Sequence, residues 1–215
     1  MKKFICRIVA AFLLFAVNAF GFTEGVDYVK LEKPIPNADK TLIKVFSYDC
    51  PFCYKYDKSV TPVVVNKLNG IVSFKPFHLK TKGKYGKEAS ELFAVLLVKD
   101  MDNGITNPFD DKSLFKKAKM AYYTAYHDKK ERWDSGEASF FETGLKAAGI
   151  SRADFDTTKN DQRVKDIVNT WEASYEVAKI QGVPAFVVNG KYLIYTKSIR
   201  SVDGMVNLVK ELADK

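Results

Sequence analysis

The sequence predicts an α/β fold in which two mixed halves of strands and helices flank an all-helical insertion. Three patterns support this prediction: a β-α-β order in the first part of the chain, a block of helices in the middle, and a helix, a β-hairpin and a helix at the end. Among the 215 residues, 47% are hydrophobic and 28% are charged, which is typical of a globular protein. This composition excludes disordered, collagen-like and coiled-coil proteins.

The first 21 residues have the pattern of a secretory signal peptide, to be set aside before the fold is considered. Basic residues, an apolar stretch and small residues follow one another: Lys2, Lys3 and Arg7, then residues 8–17, then Ala19 and Gly21. Cleavage is expected after Ala19 or after Gly21. An uncleaved signal anchor is the alternative, but the apolar stretch is shorter than the roughly 20 residues that a membrane helix needs.

Removal of this segment changes the net charge and the number of cysteines. The formal charge falls from +8 to +5, because only basic residues leave with it. Cys6 leaves as well, so that Cys50 and Cys53 are the cysteines of the mature chain. In an exported and oxidising compartment, two cysteines in a Cys-x-x-Cys spacing direct attention to thiol chemistry.

The first half of the fold begins with a short strand over 28–31, followed by the turn-forming residues 34–37. A β-branched and aromatic run predicts a strand over 41–47, and the spacing of apolar residues predicts a helix over 54–68. A further strand is predicted over 72–79. This order requires parallel strands joined by a crossover helix.

Helices dominate the middle of the chain. Apolar residues three and four positions apart predict helices over 88–99, 113–129 and 139–148. Ser151 and Asp154 approximate a capping box, which predicts another short helix.

The last part of the chain returns to strands. After a long helix predicted over 161–180, Asn189-Gly190 suits a type I′ hairpin turn between strands over 185–188 and 191–196. Ser201 caps a final amphipathic helix. The predicted organisation is a signal peptide, a first part of the core, a helical insertion and a second part of the core: 1–21, 22–84, 85–160 and 161–215.

Cys50-Pro51-Phe52-Cys53 lies where a strand gives way to a helix. At this position the unpaired N–H groups and the positive end of the helix dipole stabilise a thiolate at Cys50. Cys53, one turn into the helix, is expected to be more buried and to form or release the disulfide. A purely structural disulfide is the simpler alternative.

A metal site is disfavoured, because tetrahedral zinc needs four ligands and His78 and His127 are far from finger spacing. His78 is expected to be a satisfied structural histidine rather than a catalytic one. His127 lies in a charged run and is expected to be a solvated helix end.

A second signal lies 130 residues downstream, in Gly182-Val183-Pro184 at the start of a predicted strand. A cis peptide bond before Pro184 would let the backbone approach another group closely. This signal is weak alone but strong together with the early Cys-x-x-Cys pair.

Together these features resemble the thioredoxin-fold family, and within it the DsbA-type periplasmic thiol:disulfide oxidoreductases. FSYDCPFCYKYD, the helical insertion and GVPAFVVNGKYLI match that pattern in order over nearly all of the mature chain. EKPIPNADKTLIKVFSY and the basic balance are most similar to the DsbL subgroup. The resemblance implies a thioredoxin fold with an inserted all-helical domain.

The resemblance also implies roles. Cys50 is the attacked sulfur, Cys53 its partner and Pro184 the cis proline, while Phe52 and Val183 line the substrate groove. The redox-active Cys50–Cys53 disulfide serves in place of a cofactor or metal. The implied partners are reduced exported proteins, notably an arylsulfate sulfotransferase, and a DsbB- or DsbI-like membrane quinone reductase. A monomer that binds no nucleic acid is expected.

One departure from the family pattern bears on mechanism. Many DsbA proteins carry a histidine between the cysteines, whereas Phe52 has no hydrogen-bond donor. The thiolate must then depend on backbone N–H groups, the helix start at Pro51 and nearby cations. Lys44 is the first candidate, because a charge inside an apolar strand is costly without a partner. Its alternative role is a lysine that extends from an edge strand to water.

Lys55 and Lys58 are further candidate cations, and Asp49 is expected to oppose them. A basic face that favours acidic substrates is predicted from lysines near the cysteines: positions 44, 55, 58, 80, 82, 84 and 87. Evenly spread charge that serves solubility is the alternative.

The favoured function is that of an exported dithiol oxidase. A periplasmic reductase or isomerase is a second hypothesis, although no dimerisation domain precedes the first strand. A redox-inactive, chaperone-like binding module is a third.

Overall fold

The computed structural model describes residues 21–215, so the predicted signal peptide and Cys6 lie outside the described residues. Five strands form one sheet: β1 Tyr28–Lys30, β2 Thr41–Phe46, β3 Ser73–His78, β4 Ala185–Val188 and β5 Tyr192–Ile194. Nine α-helices accompany them among these residues: α1 Pro51–Ser59, α2 Thr61–Lys67, α3 Gly86–Asp102, α4 Leu114–Tyr123, α5 Glu137–Ala148, α6 Arg152–Thr158, α7 Gln162–Thr170, α8 Ala173–Gln181 and α9 Val202–Ala213. The predicted α/β class with a helical middle section is confirmed.

The sheet order is β1-β5-β4-β2-β3, with β2 parallel to β3 and antiparallel to β4. All six residues of β2 are buried, and Lys44 lies between Pro76 and Phe186 on the neighbouring strands. Because β2 is an interior strand, the alternative in which Lys44 extends from an edge strand to water is wrong.

The β4–β5 connection confirms the predicted hairpin. Asn189 and Gly190 both have positive φ, at 53° and 64°, as a type I′ turn requires. A Cβ at Gly190 would lie 2.3 Å from the carbonyl oxygen of Ile35, so close packing also demands glycine here.

Two predicted helices are broken in the structure. The helix expected over 54–68 begins at Pro51 and divides at Val60, where α1 ends and α2 begins. Pro62 causes this break, since a proline inside a helix lacks the N–H and collides with the preceding turn. The helix expected over 161–180 divides at Trp171-Glu172, where Trp171 is buried.

The helix expected over 113–129 also changes character. After α4 the chain forms a π-helical turn over Thr124–Asp128. This turn places Nε2 of His127 3.1 Å from the carbonyl oxygen of Tyr48 and stacks its ring on Tyr54. The expectation that His127 is a solvated helix end is therefore wrong, because the turn directs it towards the chain just before Cys50.

Hydrophobic residues cover both faces of the sheet. One face packs against α2 and α9, with Leu42, Phe186 and Leu212 fully or almost fully buried. The other face carries the larger core, which continues into the helical section. There α7 packs against α3, whereas α8 packs against β2 and β4. The chain boundaries 84/85 and 160/161 of the insertion remain predictions.

An aromatic cluster joins the end of β2 to the helical section. It consists of five buried residues: Tyr48, Tyr85, Tyr122, Trp133 and Phe140. The Tyr122 and Phe140 rings stack with centroids 4.4 Å apart, and the Tyr85 N–H donates to the Tyr48 hydroxyl at 2.9 Å. The helices are thereby fastened two residues before Cys50.

His78 lies at the end of β3, fully buried, with Nδ1 2.7 Å from the Ser90 hydroxyl. Burial lowers the pKa of its imidazole to about 3, so the ring is neutral at physiological pH. Its Nε2 has no partner among the described residues, so the expected structural histidine is satisfied at one nitrogen only.

None of the helices within residues 21–215 combines the length and the apolar character needed to cross a membrane.

Candidate active site

Cys50 and Cys53 lie at the start of α1, as the sequence predicts, and both are free thiols here. Cys50 is the N-cap residue, and its Sγ accepts a hydrogen bond from the Cys53 N–H at 3.1 Å. Pro51 occupies the first turn, where its missing N–H costs nothing. Pro51 therefore supplies helix geometry, and the backbone donor to the sulfur is the N–H of Cys53.

The pKa values of the two thiols are shifted in opposite directions. The pKa of the Cys50 thiol is lowered, first by the hydrogen bond from the Cys53 thiol and then by the Cys53 N–H, with Lys44 and Lys82 adding positive charge against the effect of burial. Burial raises the pKa of the Cys53 thiol well above its ordinary value. In the reduced protein Cys50 therefore carries the negative charge and Cys53 keeps its proton.

The loop before β4 approaches the same sulfur. The Val183–Pro184 peptide bond is cis, as expected from the sequence, and the Val183 carbonyl oxygen lies 3.2 Å from Cys50 Sγ. Pro184 is buried, Val183 is half-buried, and the side chain of Phe52 is 64% exposed. An exposed apolar side chain and a half-buried one thus flank Cys50.

Lys44 lies beneath the cysteines with only 2% of its surface exposed. Its ammonium group forms an ion pair with Asp57 and donates to the Thr61 hydroxyl at 3.2 Å and to the Cys53 carbonyl oxygen at 3.4 Å. A second buried lysine, Lys119, lies 2.9 Å from the same carboxylate.

Asp57 and Lys119 were not among the residues predicted from the sequence. Asp57 follows Cys53 by four residues, and Lys119 shares the buried face of α4 with Phe115 and Tyr122, so each stands at a helical core position. A charge at a core position was the available signal for both.

Lys82, which the sequence placed in the basic face but not among the thiolate-stabilising cations, also lowers the pKa of Cys50. Its ammonium group lies 3.5 Å from Asp49, whose carboxylate also accepts from the Ser47 hydroxyl at 2.8 Å. The expected opposition from Asp49 is therefore partly compensated. Lys58 lies over the Tyr54 ring, 4.7 Å from its centroid.

The predicted basic face is altered by burial and pairing. Lys44 cannot belong to any surface because it is buried. Lys80 pairs with Glu172, and Lys84 pairs with Asp134 at 3.1 Å. The remaining positive field near Cys50 is weaker than the number of lysines suggests.

No group of three or more histidine, cysteine, aspartate or glutamate side chains suited to a metal ion occurs within residues 21–215. The arrangement is instead suited to sulfur exchange. It combines an activated sulfur at a helix start, a buried partner thiol and a cis-proline loop beside them. A parallel β-α-β unit, an antiparallel hairpin and an inserted set of helices complete a thioredoxin-like thiol:disulfide oxidoreductase.

Comparison with known proteins agrees with this class. Residues 41–212 match the family described as DSBA-like thioredoxin domain. The chain is 63% identical over 210 residues to the thiol:disulfide interchange protein DsbL of Escherichia coli O6:H1, covering 97% of this chain and 94% of that protein. It is 27% identical to DsbA of Dickeya dadantii, covering 100% and 96%.

Solved structures give the same result. The crystal structure of DsbL from Salmonella enterica serovar Typhimurium superposes with a TM-score of 0.89 at 65% identity, covering 92% of this chain and all of that one. DsbA of Klebsiella pneumoniae, at 20% identity and a TM-score of 0.72, shares the fold over 92% of this chain and 100% of its own. The chain belongs to the DsbA-like thioredoxin family, and it is a thiol:disulfide oxidoreductase of the dithiol-oxidase type.

Proposed function

We propose that this protein acts in the periplasm and transfers its Cys50–Cys53 disulfide to reduced cysteine pairs of exported proteins. The lowered pKa of the Cys50 thiol at the start of α1 carries this proposal. A thiol that ionises easily is a good leaving group, so its mixed disulfides break readily and its reduced form is favoured.

The reaction proceeds in two exchanges. A substrate thiolate attacks Cys50 Sγ, the bond between Cys50 and Cys53 breaks, and its electron pair passes to Cys53, which takes up a proton. A second substrate thiolate attacks the substrate sulfur of the mixed disulfide, and Cys50 leaves as a thiolate. The substrate loses two electrons and gains a disulfide, while the enzyme gains two electrons and becomes the dithiol.

The Cys53 N–H and Lys44 support the departing thiolate of Cys50 in the second exchange. The hydrogen bond at 3.1 Å needs no rearrangement when charge develops on the sulfur. Lys44 adds a positive charge that burial shields from solvent ions.

Substrate recognition is assigned to Phe52, Val183 and Pro184. Phe52 offers exposed apolar surface next to the attacked sulfur, and Val183 offers backbone in the loop that precedes β4. An unfolded substrate segment that pairs with this loop would bring its cysteine to Cys50.

The partners follow from the resemblance to the DsbL subgroup. We assign an arylsulfate sulfotransferase to the substrates and a DsbB- or DsbI-like membrane quinone reductase as the acceptor of the two electrons. The protein is assigned a monomeric state and a location in the periplasm after removal of residues 1–21.

A single-turnover assay tests the function. The oxidised protein is mixed with a peptide that contains two cysteines, without another oxidant, and disulfide formation is followed by mass. One peptide disulfide per enzyme is expected. A protein that leaves the peptide reduced but reduces insulin with dithiothreitol would be a reductase, and one that does neither would be a binding module.

A further inference from the structure

The π-helical turn of residues 124–128 contacts the chain on both sides of the two cysteines. Nε2 of His127 lies 3.1 Å from the carbonyl oxygen of Tyr48, two residues before the first cysteine. The hydroxyl of Tyr54, directly after the second cysteine, donates to the Asp128 carboxylate at 2.7 Å. The rings of His127 and Tyr54 also stack, with centroids 5.6 Å apart. One short turn of the helical section therefore contacts both flanks of the redox pair.

The turn owes its geometry to one extra residue. The Lys129 N–H donates to the Thr124 carbonyl oxygen at 3.0 Å, five residues back, where an α-helix would reach four residues back. Single turns of this kind are frequent at functional sites. The extra residue changes the direction of the side chains that follow, and His127 points to the start of α1.

The Tyr48 carbonyl oxygen depends on His127 for its hydrogen bond. Tyr48 is fully buried, so this oxygen has no access to solvent. No other donor reaches it in the part of the chain that the structure describes. A buried carbonyl oxygen without a donor is unfavourable, so the chain at Tyr48 would rearrange if the His127 donor were lost.

A rearrangement at Tyr48 would move Cys50, because both belong to one tight turn. The Cys50 N–H donates to the Ser47 carbonyl oxygen at 3.2 Å, which closes the turn around Tyr48 and Asp49. At the end of this turn, Cys50 Sγ lies 3.2 Å from the Val183 carbonyl oxygen. The position of the attacked sulfur beside the cis-proline loop is thus linked to the position of the Tyr48 carbonyl group.

His127 adds no charge to the site at neutral pH. Burial lowers the pKa of its imidazole below the ordinary value, so the ring is neutral there. Its hydrogen bond ends on a backbone oxygen and not on a sulfur. Such a bond does not distinguish the disulfide from the dithiol, so its contribution is one of geometry.

We propose that His127 is a positioning residue, which holds Cys50 through the Tyr48 carbonyl group in the geometry required for attack. His127 thereby accelerates disulfide exchange in both directions without shifting the redox equilibrium. The inference rests on the proposed function, since it concerns the rate of the same reaction.

The physical reason is the alignment that exchange requires. The attacking, central and leaving sulfur atoms must lie nearly in one line, and a misplacement of about 1 Å can cost up to about 100-fold in rate. Forward and reverse exchange pass through the same transition state. A residue that only fixes its geometry therefore changes both rates by the same factor.

A purely structural contact would behave differently. If His127 only fastens the helical section to the start of α1, its loss lowers the stability of the fold and leaves the exchange rates of the folded protein unchanged. The positioning role instead requires a slower reaction in protein that is fully folded.

The test separates the hydrogen bond of His127 from its ring. His127→Phe keeps a ring on Tyr54 but has no donor, whereas His127→Gln keeps an N–H donor but has no ring. Tyr122→Phe is the matched control, because it also removes a donor to a buried carbonyl oxygen, that of Phe140 at 2.9 Å, within the helical section.

Each variant is prepared as the full mature chain. Stopped-flow measurements give the rate of oxidation of a two-cysteine peptide by the disulfide form, and the rate at which the dithiol form reduces the peptide disulfide. The equilibrium constant with glutathione and the thermal unfolding temperature are measured on the same samples.

His127→Phe is expected to slow both reactions about tenfold and to leave the glutathione equilibrium at the wild-type value. His127→Gln is expected to stay within about twofold of the wild-type rates, because the donor is retained. Tyr122→Phe should lower the unfolding temperature and leave both rates unchanged.

Wild-type rates from His127→Phe would overturn the proposal. Rates from His127→Gln as low as those from His127→Phe would do so as well, since the hydrogen bond would then be irrelevant. A slower reaction in one direction only, with a shifted equilibrium, or an equal loss in Tyr122→Phe would also contradict it. Should His127→Phe fail to fold, His127→Leu removes the same donor with a smaller side chain and decides in its place.

The proposed function fails separately, if the wild-type disulfide form does not oxidise the peptide. The reaction of the dithiol form with the peptide disulfide would then still report on His127.

Discussion

Two buried regions meet at the end of β2. They differ in whether their buried polar side chains are neutral or charged. In the aromatic cluster the polar atoms are neutral and fully paired: the Tyr122 hydroxyl donates to the Phe140 carbonyl oxygen at 2.9 Å, and the Trp133 ring N–H donates to Thr143 at 2.9 Å. Beneath the cysteines three buried side chains are charged: Lys44, Asp57 and Lys119. A fold can be stabilised without buried charge, as the cluster shows. Of these two regions, the charged one lies beside the redox pair and the neutral one fastens the helices.

Substitution of the active-site cysteines is expected to have the largest effect, a loss of peptide oxidation. Cys50→Ala is expected to abolish peptide oxidation, because only Cys50 is available for attack at the helix start. Cys53→Ala has no disulfide to donate, but its Cys50 thiolate is expected to attack an added peptide disulfide, displace one peptide thiolate and accumulate as the mixed disulfide, since no Cys53 thiol is present to displace the peptide. Non-reducing electrophoresis distinguishes the two. Trapping by Cys50→Ala instead would assign the attacked sulfur to Cys53.

A substitution in the aromatic cluster is expected to lower the stability of the fold and to leave the redox equilibrium unchanged. Phe140 is fully buried and stacks on Tyr85 and Tyr122, so Phe140→Ala is expected to cost about 3–5 kcal/mol of unfolding free energy. Its glutathione equilibrium should stay at the wild-type value. Urea unfolding and redox titration of the same variant provide both readouts, and a tenfold redox shift would show that the two regions are not separable.

The sulfur pair is expected to reverse the usual effect of a disulfide on stability. A disulfide that closes four residues constrains the unfolded chain little. The lowered pKa of Cys50 exists only in the folded, reduced protein, which is therefore expected to melt at the higher temperature near neutral pH.

The pH dependence of this difference has a defined sign. Because the folded pKa of Cys50 is lowered, its added stability grows up to the unfolded value of about 8.5 and is lost as the pH falls through the folded value. Cys53, whose pKa is raised, is protonated in both states below about pH 8 and does not offset it. Thermal unfolding of both redox forms from acid to neutral pH tests this. An oxidised form that melts higher at neutral pH would contradict the assignment of the thiolate.

The smallest expected effect is a preference for acidic over basic substrates, caused by surface lysines near Cys50. Acidic cysteine peptides are expected to be oxidised a few-fold faster than basic ones at low salt, since Lys82 and its neighbours give the site a positive field. Pairing of Lys80 and Lys84 with carboxylates limits this difference. Salt should remove it, because the Debye length falls below about 10 Å above 0.1 M. Equal rates at low salt would leave selectivity to Phe52 and Val183.

Sequence patterns were most informative where local chemistry decides the structure. Asn189-Gly190 specified its turn, Val183-Pro184 its cis bond, and Cys50 its place at a helix start. Local reasoning failed where distant contacts decide. The break at Trp171 follows its burial, and the turn around His127 accompanies its contact with Tyr48, neither of which is visible in the spacing of apolar residues.

The charges beneath the site show the same limit. Lys44 could be singled out because a lysine inside an apolar strand is costly. Its partner could not be identified, because Asp57 and Lys119 come from two different helices that only the folded chain brings together.

The central claim is that reduction of the Cys50–Cys53 pair is strongly favoured because Cys50 becomes a stabilised thiolate. The equilibrium constant of the wild-type protein with glutathione tests it most directly. We expect a reduction potential well above that of glutathione, towards the about −120 mV typical of strong dithiol oxidases. A value near about −270 mV, as in thioredoxin-type reductants, would contradict the account.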